Sequence, residues 1–211
     1  IQGGPLGPHD MWVTHDEQAG WLLYSADGFH GWTVFNVDDP ASPMLAGGLI
    51  RPETGYTHTI QAGWVDGRRL VATIQEVGVN VLQVFDATNL RAPVLLATWQ
   101  MSVTDAVQPQ HNIQIVNGTL YVAHYGAGIY VFDLRDAGTL PVAGTTSLRP
   151  VARFDPGMAN SPSPLDFAGV YDVVVHEGLV YASAYSGPFR GVTVIGFGCM
   201  QPGDLKLTST G

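Results

Sequence analysis

Three histidines occupy matching positions in this chain, and their ring nitrogens could do chemistry. His9, His58 and His111 each precede a stretch of alternating apolar residues, and Tyr171 takes the same position in a fourth, similar stretch. A neutral imidazole binds zinc, copper, iron or nickel, and it also pairs with backbone donors and acceptors. The pattern therefore predicts either a metal site or a set of repeated structural contacts.

Each of these four positions begins a repeat, and the repeats follow one another at intervals of 49, 53 and 60 residues. Every copy contains an alternating first strand, a tight turn, an aromatic and apolar second strand, and a third strand after a glycine-bearing loop. A weaker fourth strand follows a proline turn in the first three copies. The turns Asp66-Gly67, Asn117-Gly118 and Glu177-Gly178 predict β-hairpins, because glycine and asparagine accept the positive φ of a type I′ turn.

Repeats of this length, each with four short strands, are typical of the blades of a β-propeller. A four-stranded sheet must bury both faces, and radial stacking of several sheets does so. A β-sandwich is the alternative that short, evenly spaced strands also allow, but the long repeat period favours the propeller. We therefore predict an all-β fold, in which residues 1–211 form a single propeller domain with blades starting near residues 9, 58, 111 and 171. Residues 146–168, which hold four prolines, are expected to be an irregular loop.

Two segments carry a resemblance to a known family. "GWTVFNVDDPASPMLAGG" and "HNIQIVNGTLYVAHYGAGIYVFDL" resemble the LVIVD-repeat proteins, which are bacterial and archaeal β-propellers, mostly exported or on the cell surface. The likeness extends from His9 to about Phe197. It implies a propeller located in the extracellular space, the periplasm or the cell surface, and it implies no reaction.

The fourth copy departs from the repeat pattern. It has Tyr171 in place of the leading histidine and no clear fourth strand, so its last strand is expected to come from elsewhere. The segment "IQGG" at residues 1–4 is similar to "LAGG" at residues 45–48, which ends a fourth strand. We therefore expect four recognisable blades that are the C-terminal part of a larger propeller of roughly six to eight blades. A self-contained four-bladed ring is the alternative.

The first strand of each propeller blade lines the central channel. His9, His58 and His111 are therefore predicted to meet at one mouth of the channel, with Tyr171 in the fourth place. The second strands end near the same mouth and add Asp27, Glu76, His124 and Tyr185. Three histidines with an open position would make a catalytic copper or zinc site. In the other interpretation no cofactor is bound, and each histidine pairs with backbone groups between neighbouring blades.

Other polar and aromatic residues are interpreted as structural. The segment His15-Asp16-Glu17 is expected to be a solvated hairpin turn. The tryptophans lie at or beside strand positions, so sheet packing is favoured over a carbohydrate platform.

Composition excludes several function classes. The chain of 211 residues has 18 acidic and 9 basic side chains, and such an acidic surface repels nucleic acid. No run of 18 apolar residues occurs, so no membrane span is predicted. Cys199 is the single cysteine, which excludes an internal disulfide and a cysteine-based zinc site.

These observations favour a non-enzymatic binding or scaffold module outside the cytoplasm, with a protein partner at its loop-bearing face. Residues 146–168 are the expected contact segment, and the chain could form part of a larger assembly. The alternative function is a metal-dependent enzyme, an oxidase or a hydrolase, that uses the channel histidines.

Overall fold

The computed structural model describes residues 7–50, 55–77, 81–100, 110–135, 146–154, 169–184, 191–197 and 207–209. Within these ranges β-strands form four sheets, one for each repeat. Sheet 1 consists of β1 (Asp10–Asp16), β2 (Gly20–Ala26), β3 (Trp32–Asn36) and β4 (Met44–Leu49). Sheet 2 consists of β5 (Tyr56–Val65), β6 (Arg68–Val77), β7 (Val81–Asp86), β8 (Val94–Gln100) and the later strand β12 (Thr146–Ser147).

Sheets 3 and 4 follow the same antiparallel plan. Sheet 3 consists of β9 (Ile113–Val116), β10 (Thr119–His124), β11 (Gly128–Asp133) and β13 (Ala152–Phe154). Sheet 4 consists of β14 (Val170–His176), β15 (Leu179–Ala184), β16 (Gly191–Phe197) and β17 (Leu207–Ser209). Across all the ranges given above, no helix is long and apolar enough to cross a membrane.

The predicted hairpin turns are confirmed by backbone angles. Asn117 has a φ of 49° and Gly118 a φ of 76°, and β9 and β10 pair directly on either side of this two-residue turn. Asp66-Gly67 and Glu177-Gly178 show the same combination of two positive φ angles. Each turn has the geometry that the right-handed strand twist favours, so local sequence fixes the register of the inner hairpins.

Two expectations about fourth strands were wrong. The segment 146–168 is not an irregular loop throughout, because β12 pairs in parallel with β8 and β13 pairs with β11. Sheet 4 takes its fourth strand, β17, from later in the same chain rather than from elsewhere. An unpaired outer strand exposes a row of backbone donors and acceptors, so even two- or three-residue segments stabilise these edges by pairing. The "IQGG" segment and residues 155–168 lie outside the described residues.

The chain divides into two compact units. Unit 1 comprises Ile1–Gln100 and Leu134–Leu148 and contains sheets 1 and 2; unit 2 comprises Met101–Asp133 and Arg149–Gly211 and contains sheets 3 and 4. The expectation of one domain over residues 1–211 stays a prediction.

Each unit has a core between the facing surfaces of its two sheets. In unit 1, sheet 1 contributes Leu22, Tyr24, Ala26, Trp32 and Val34, and sheet 2 contributes Ile60, Ala62, Val71, Phe85 and Ala87. In unit 2, Ala123 and Ile129 of sheet 3 pack against Val170, Val173, Val180, Ala182 and Ile195 of sheet 4. Burial of these apolar faces holds the first strands of neighbouring sheets side by side, which positions the residues at the strand starts.

Candidate functional site

Two adjacent register shifts shape the start of β5. Thr57 pairs with Gln75 and Thr59 pairs with Ile74, so His58 is one extra residue in β5. A β-bulge of this kind bends the strand and re-aims the inserted side chain.

The second register shift lies in the partner strand. Tyr56 pairs with Val77 and Thr57 with Gln75, so Glu76 is one extra residue in β6. His58 Nε2 lies 3.2 Å from Glu76 Oε2; His58 is buried and Glu76 is partly exposed. The two bulges therefore turn an imidazole and a carboxylate toward each other, and neither would meet its partner in a regular ladder.

His9 packs on this pair from the neighbouring sheet. Its Nδ1 donates a hydrogen bond to the backbone carbonyl of His58 at 3.1 Å, and the two imidazole rings lie 4.1 Å apart between centroids. Because a carbonyl oxygen only accepts, the His9 proton sits on Nδ1. The Tyr56 ring meets His9 edge-on at 5.6 Å. Burial, and secondarily the charge of Glu76, raise the pKa of the Tyr56 hydroxyl, so it stays protonated.

Unit 2 repeats the same contact. His111 Nδ1 donates to the backbone carbonyl of Tyr171 at 3.0 Å, and the rings lie 3.8 Å apart between centroids. Tyr171 is itself the extra residue of a bulge, because Val170 pairs with Ala184 and Asp172 pairs with Ser183. Tyr171 therefore occupies the position of His58.

The same contact therefore recurs for two of the three histidines. His9 and His111 each tie the first strand of one sheet to the first strand of the next. That is the structural interpretation of the histidine repeat. The structure brings His9 and His58 together in unit 1, and His111 and Tyr171 together in unit 2. The meeting of all three histidines stays a prediction.

The residues predicted at the ends of the second strands have separate roles. Asp27 accepts hydrogen bonds from the hydroxyls of Ser25 at 2.5 Å and Thr33 at 2.6 Å, so its carboxylate fixes the loop between β2 and β3. His124 is buried, and desolvation lowers its pKa to about 4, so the ring is neutral at neutral pH. Tyr185 lies outside the described residues.

A buried ion pair was missed by sequence reasoning, and the expectation of a solvated turn at Asp16 was wrong. Asp16 is only 3% exposed and Arg69 only 4%, and Arg69 Nε donates to Asp16 Oδ2 at 2.8 Å. The indole of Trp64 donates to the same oxygen at 2.9 Å, and the backbone N–H groups of Gln18 and Ala19 donate to Oδ1.

The Arg69 side chain makes further contacts within sheet 2. It donates to the carbonyls of Ala87 and Thr88, and its guanidinium lies 4.9 Å from the centre of the Trp64 ring. Burial alone would raise the pKa of Asp16, but the hydrogen bonds that it accepts, chiefly from Arg69, hold it below its usual value. Strand alternation was the available signal, because residues 10, 12, 14 and 16 share the face that packs on sheet 2.

Comparison with solved structures identifies the fold. The C-terminal WD40 domain of Sif2 matches with a TM-score of 0.59 and 14% identity, over 92% of this chain and 47% of that chain. The computationally designed Ika4 protein matches with a TM-score of 0.52 and 9% identity, over 94% of this chain and 96% of that one. An α-L-arabinofuranosidase, CtGH43 from Clostridium thermocellum, matches with a TM-score of 0.52 and 15% identity, over 96% of this chain and 73% of that chain.

WD40 repeats form β-propellers, so this chain has an all-β propeller fold, as its sequence predicts. The chain spans about half the length of the Sif2 domain chain. At these identities the likeness establishes the fold alone. No protein-family profile and no curated protein matches the sequence.

Proposed function

We propose that this chain is a non-enzymatic module that binds a protein partner at the loop-bearing end of its sheets. We place it in the extracellular space, the periplasm or on the cell surface, as a scaffold that can belong to a larger assembly. The location is supported by the likeness of its motifs to LVIVD-repeat proteins, and the binding role by the surface of unit 1.

The observation that carries the proposal is an exposed aromatic ring on a rigid base. Phe29, in the loop between β2 and β3, is 52% exposed. Its ring meets the buried Tyr56 ring at 5.0 Å, close to perpendicular. His9, whose ring also meets Tyr56, and His30, the next residue of the loop, are exposed as well, and we call this surface of His9, Phe29 and His30 the aromatic rim.

The loop that carries Phe29 is held by backbone hydrogen bonds. Asp27 N donates to Gly31 O at 2.9 Å, and Thr57 N donates to Gly28 O at 2.9 Å. An aromatic side chain on a fixed loop loses little conformational entropy on binding, which is the property of interface hot spots.

The test is site-specific photo-crosslinking in cells of the source organism, followed by reconstitution of the captured complex. A crosslinker at residue 29 is expected to capture one protein, whose purified form binds the chain directly. Phe29→Ala should weaken that binding by about 30-fold, as for a hot-spot residue. Met44→Ala is the matched control, because Met44 is 64% exposed and lies on β4, away from the loop. Equal loss with both variants, or no capture at residue 29, would contradict the proposal.

The second candidate, a copper- or zinc-dependent oxidase or hydrolase, is favoured by one observation. The paired bulges bring His58 Nε2 and Glu76 Oε2 within 3.2 Å, and imidazole and carboxylate are both ligands of zinc. A catalytic zinc site has three protein ligands, so the sequence-based proposal needs His9 or His111 as well.

Metal analysis separates the two candidates. A metalloenzyme would hold one copper or zinc per chain after purification without chelator, and would lose it in Glu76→Gln and in the double variant His58→Ala, His111→Ala. A binding module would hold less than stoichiometric metal and keep its unfolding transition unchanged in chelator. His176→Ala is the control, because this exposed histidine lies at the far end of β14.

A further inference from the structure

Sheet 4 has one buried face and one exposed apolar face. Val174 pairs with Tyr181, and Tyr181 pairs with Val194, so the three side chains form one cross-strand row. Val174 and Val194 are exposed, and Val192 on the same face is 68% exposed. Tyr181 between them is partly exposed, and adjacent apolar side chains of this kind favour an interaction surface.

The corresponding row of sheet 1 shows what such a face binds. Trp12 pairs with Tyr24, and Tyr24 pairs with Val34. Tyr24 and Val34 are fully buried in the core that sheet 1 forms with sheet 2. Tyr24 in "LLYSA" and Tyr181 in "LVYASA" hold the same place in their second strands. The exposed face of sheet 4 is therefore equivalent to the face of sheet 1 that packs on sheet 2.

Sheet 1 has an exposed face of its own, on its other side. Val13 pairs with Leu23, and Leu23 pairs with Phe35, which forms a second apolar row. Val13 and Met11 are exposed, while Leu23 and Phe35 are partly exposed.

The equivalent row of sheet 2 is buried. Ala62 pairs with Val71, and Val71 pairs with Phe85, and all three lie in the core against sheet 1. Phe85 matches Phe35, because each lies at a register shift between the third and fourth strands of its sheet. The exposed face of sheet 1 is therefore equivalent to the face of sheet 2 that packs on sheet 1.

We propose that the occupant of these two faces is a second copy of this chain. The exposed face of sheet 4 in one copy packs on the exposed face of sheet 1 in the other copy. The same contact formed a second time closes a two-fold symmetric pair with eight sheets. Each contact repeats the type of interface that the chain already forms between sheets 1 and 2.

Two copies together match the Sif2 WD40 domain in length. This chain aligns over 92% of its own length with 47% of the Sif2 domain chain, so two copies of this length approximate one such domain. The net charge of −9 on each copy opposes association, and salt screens this repulsion. Association is therefore expected to strengthen as the salt concentration rises, as for an apolar interface between like-charged partners.

Light scattering after size exclusion tests the pair directly. The chain mass is 22.5 kDa, and the expected particle has twice that mass at micromolar concentration in physiological salt. Val13→Asp and Val194→Asp should each raise the dissociation constant by about 100-fold, because each buries a carboxylate in both contacts. Val94→Asp is the control, since Val94 is exposed on β8 and belongs to neither face. Circular dichroism is used to check that every variant is folded.

Mixing the two variants distinguishes this arrangement from other pairs. In the proposed pair, a Val13→Asp copy and a Val194→Asp copy share two contacts. One contact contains both substitutions and the other contains neither, so mixing the two variants should restore association. If sheet 4 bound sheet 4, Val13→Asp would have no effect and mixing would restore nothing.

Three results would overturn the proposal. One is a particle of the single-chain mass at all concentrations, as expected if the faces are covered within one chain or by further repeats. The second is a ladder of larger masses from a contact that does not close. The third is a pair that Val13→Asp leaves intact.

Discussion

Removal of one partner from the Asp16–Arg69 ion pair should destabilise unit 1 strongly. Asp16→Asn removes the counter-ion of Arg69, whose side chain is almost completely buried and already donates to two carbonyls. Breaking a buried pair from one side typically costs about 3–5 kcal/mol, because an uncompensated charge remains in a medium of low dielectric constant. We expect a loss in the lower part of this range, because the asparagine oxygen can still accept from Gln18 and Ala19 N–H.

The measurement is urea unfolding, followed by circular dichroism and extrapolated linearly to water. The control is Arg68→Met on the adjacent residue of β6. Arg68 forms a partly exposed pair with Asp86 at 3.8 Å, and such pairs contribute about 0–1 kcal/mol. The two arginines thus share a strand and a charge and differ in burial.

A double-mutant cycle then isolates the pair. Arg69→Met should also destabilise, and the double variant with Asp16→Asn should cost about 2 kcal/mol less than the sum of the two single changes. If the effects of the two changes add, or if Asp16→Asn costs no more than Arg68→Met, then the buried pair does not carry the stability assigned to it here. The depressed pKa of Asp16 adds an acid dependence, since its contribution is present above about pH 4 and is lost as the pH falls through the folded-state pKa.

Three further predictions concern other parts of the molecule. The pKa of His124 is about 4 in the folded chain and near 6.5 in the unfolded chain. The free energy of unfolding should therefore fall by up to about 3 kcal/mol as the pH falls from about 6.5 towards 4. His124→Gln should abolish this pH dependence in urea unfolding. His111→Phe keeps a ring on Tyr171 but removes the Nδ1 donor, and should cost about 1 kcal/mol in urea unfolding, whereas no loss would show that the hydrogen bond is dispensable. Gly47→Ala should cost at least about 2 kcal/mol in the same assay, because a Cβ would lie 2.0 Å from the Leu90 carbonyl oxygen. Gly196→Ala is the control and should be tolerated, because the atom nearest to its Cβ would be Leu179 Cδ2 at 3.8 Å.

The sheets were predictable from sequence because their signals are local. A two-residue turn such as Asn117-Gly118 fixes its own backbone angles, and alternation along β14 assigns its faces without knowledge of the rest of the chain. The repeat of His9 and His111 was visible for the same reason, and one of its two interpretations, the contact with the next first strand, is present in each unit.

The features that could not be predicted depend on the pairing of distant segments. The bulges at His58 and Glu76 arise from the register between β5 and β6, which periodicity within one strand does not encode. The pairing of β13 with β11 joins segments about 20 residues apart, with no turn signal to connect them. Asp16 was misassigned because its sequence neighbours are those of an exposed turn, whereas Arg69, 53 residues away, determines its environment.

The short strand β12 has a consequence for dissecting this protein. Thr146 and Ser147 pair alongside β8, and the Leu148 N–H continues the pairing to the Thr98 carbonyl at 2.8 Å, with the Leu148 side chain buried. A fragment that stops after the second repeat would keep β8 but lose this cover, leaving an open backbone ladder on a strand rich in leucine, alanine and tryptophan. Expression of the repeats singly or as the first pair should therefore yield aggregation-prone material, and a usable minimal fragment has to carry the 146–148 segment along with the first hundred residues.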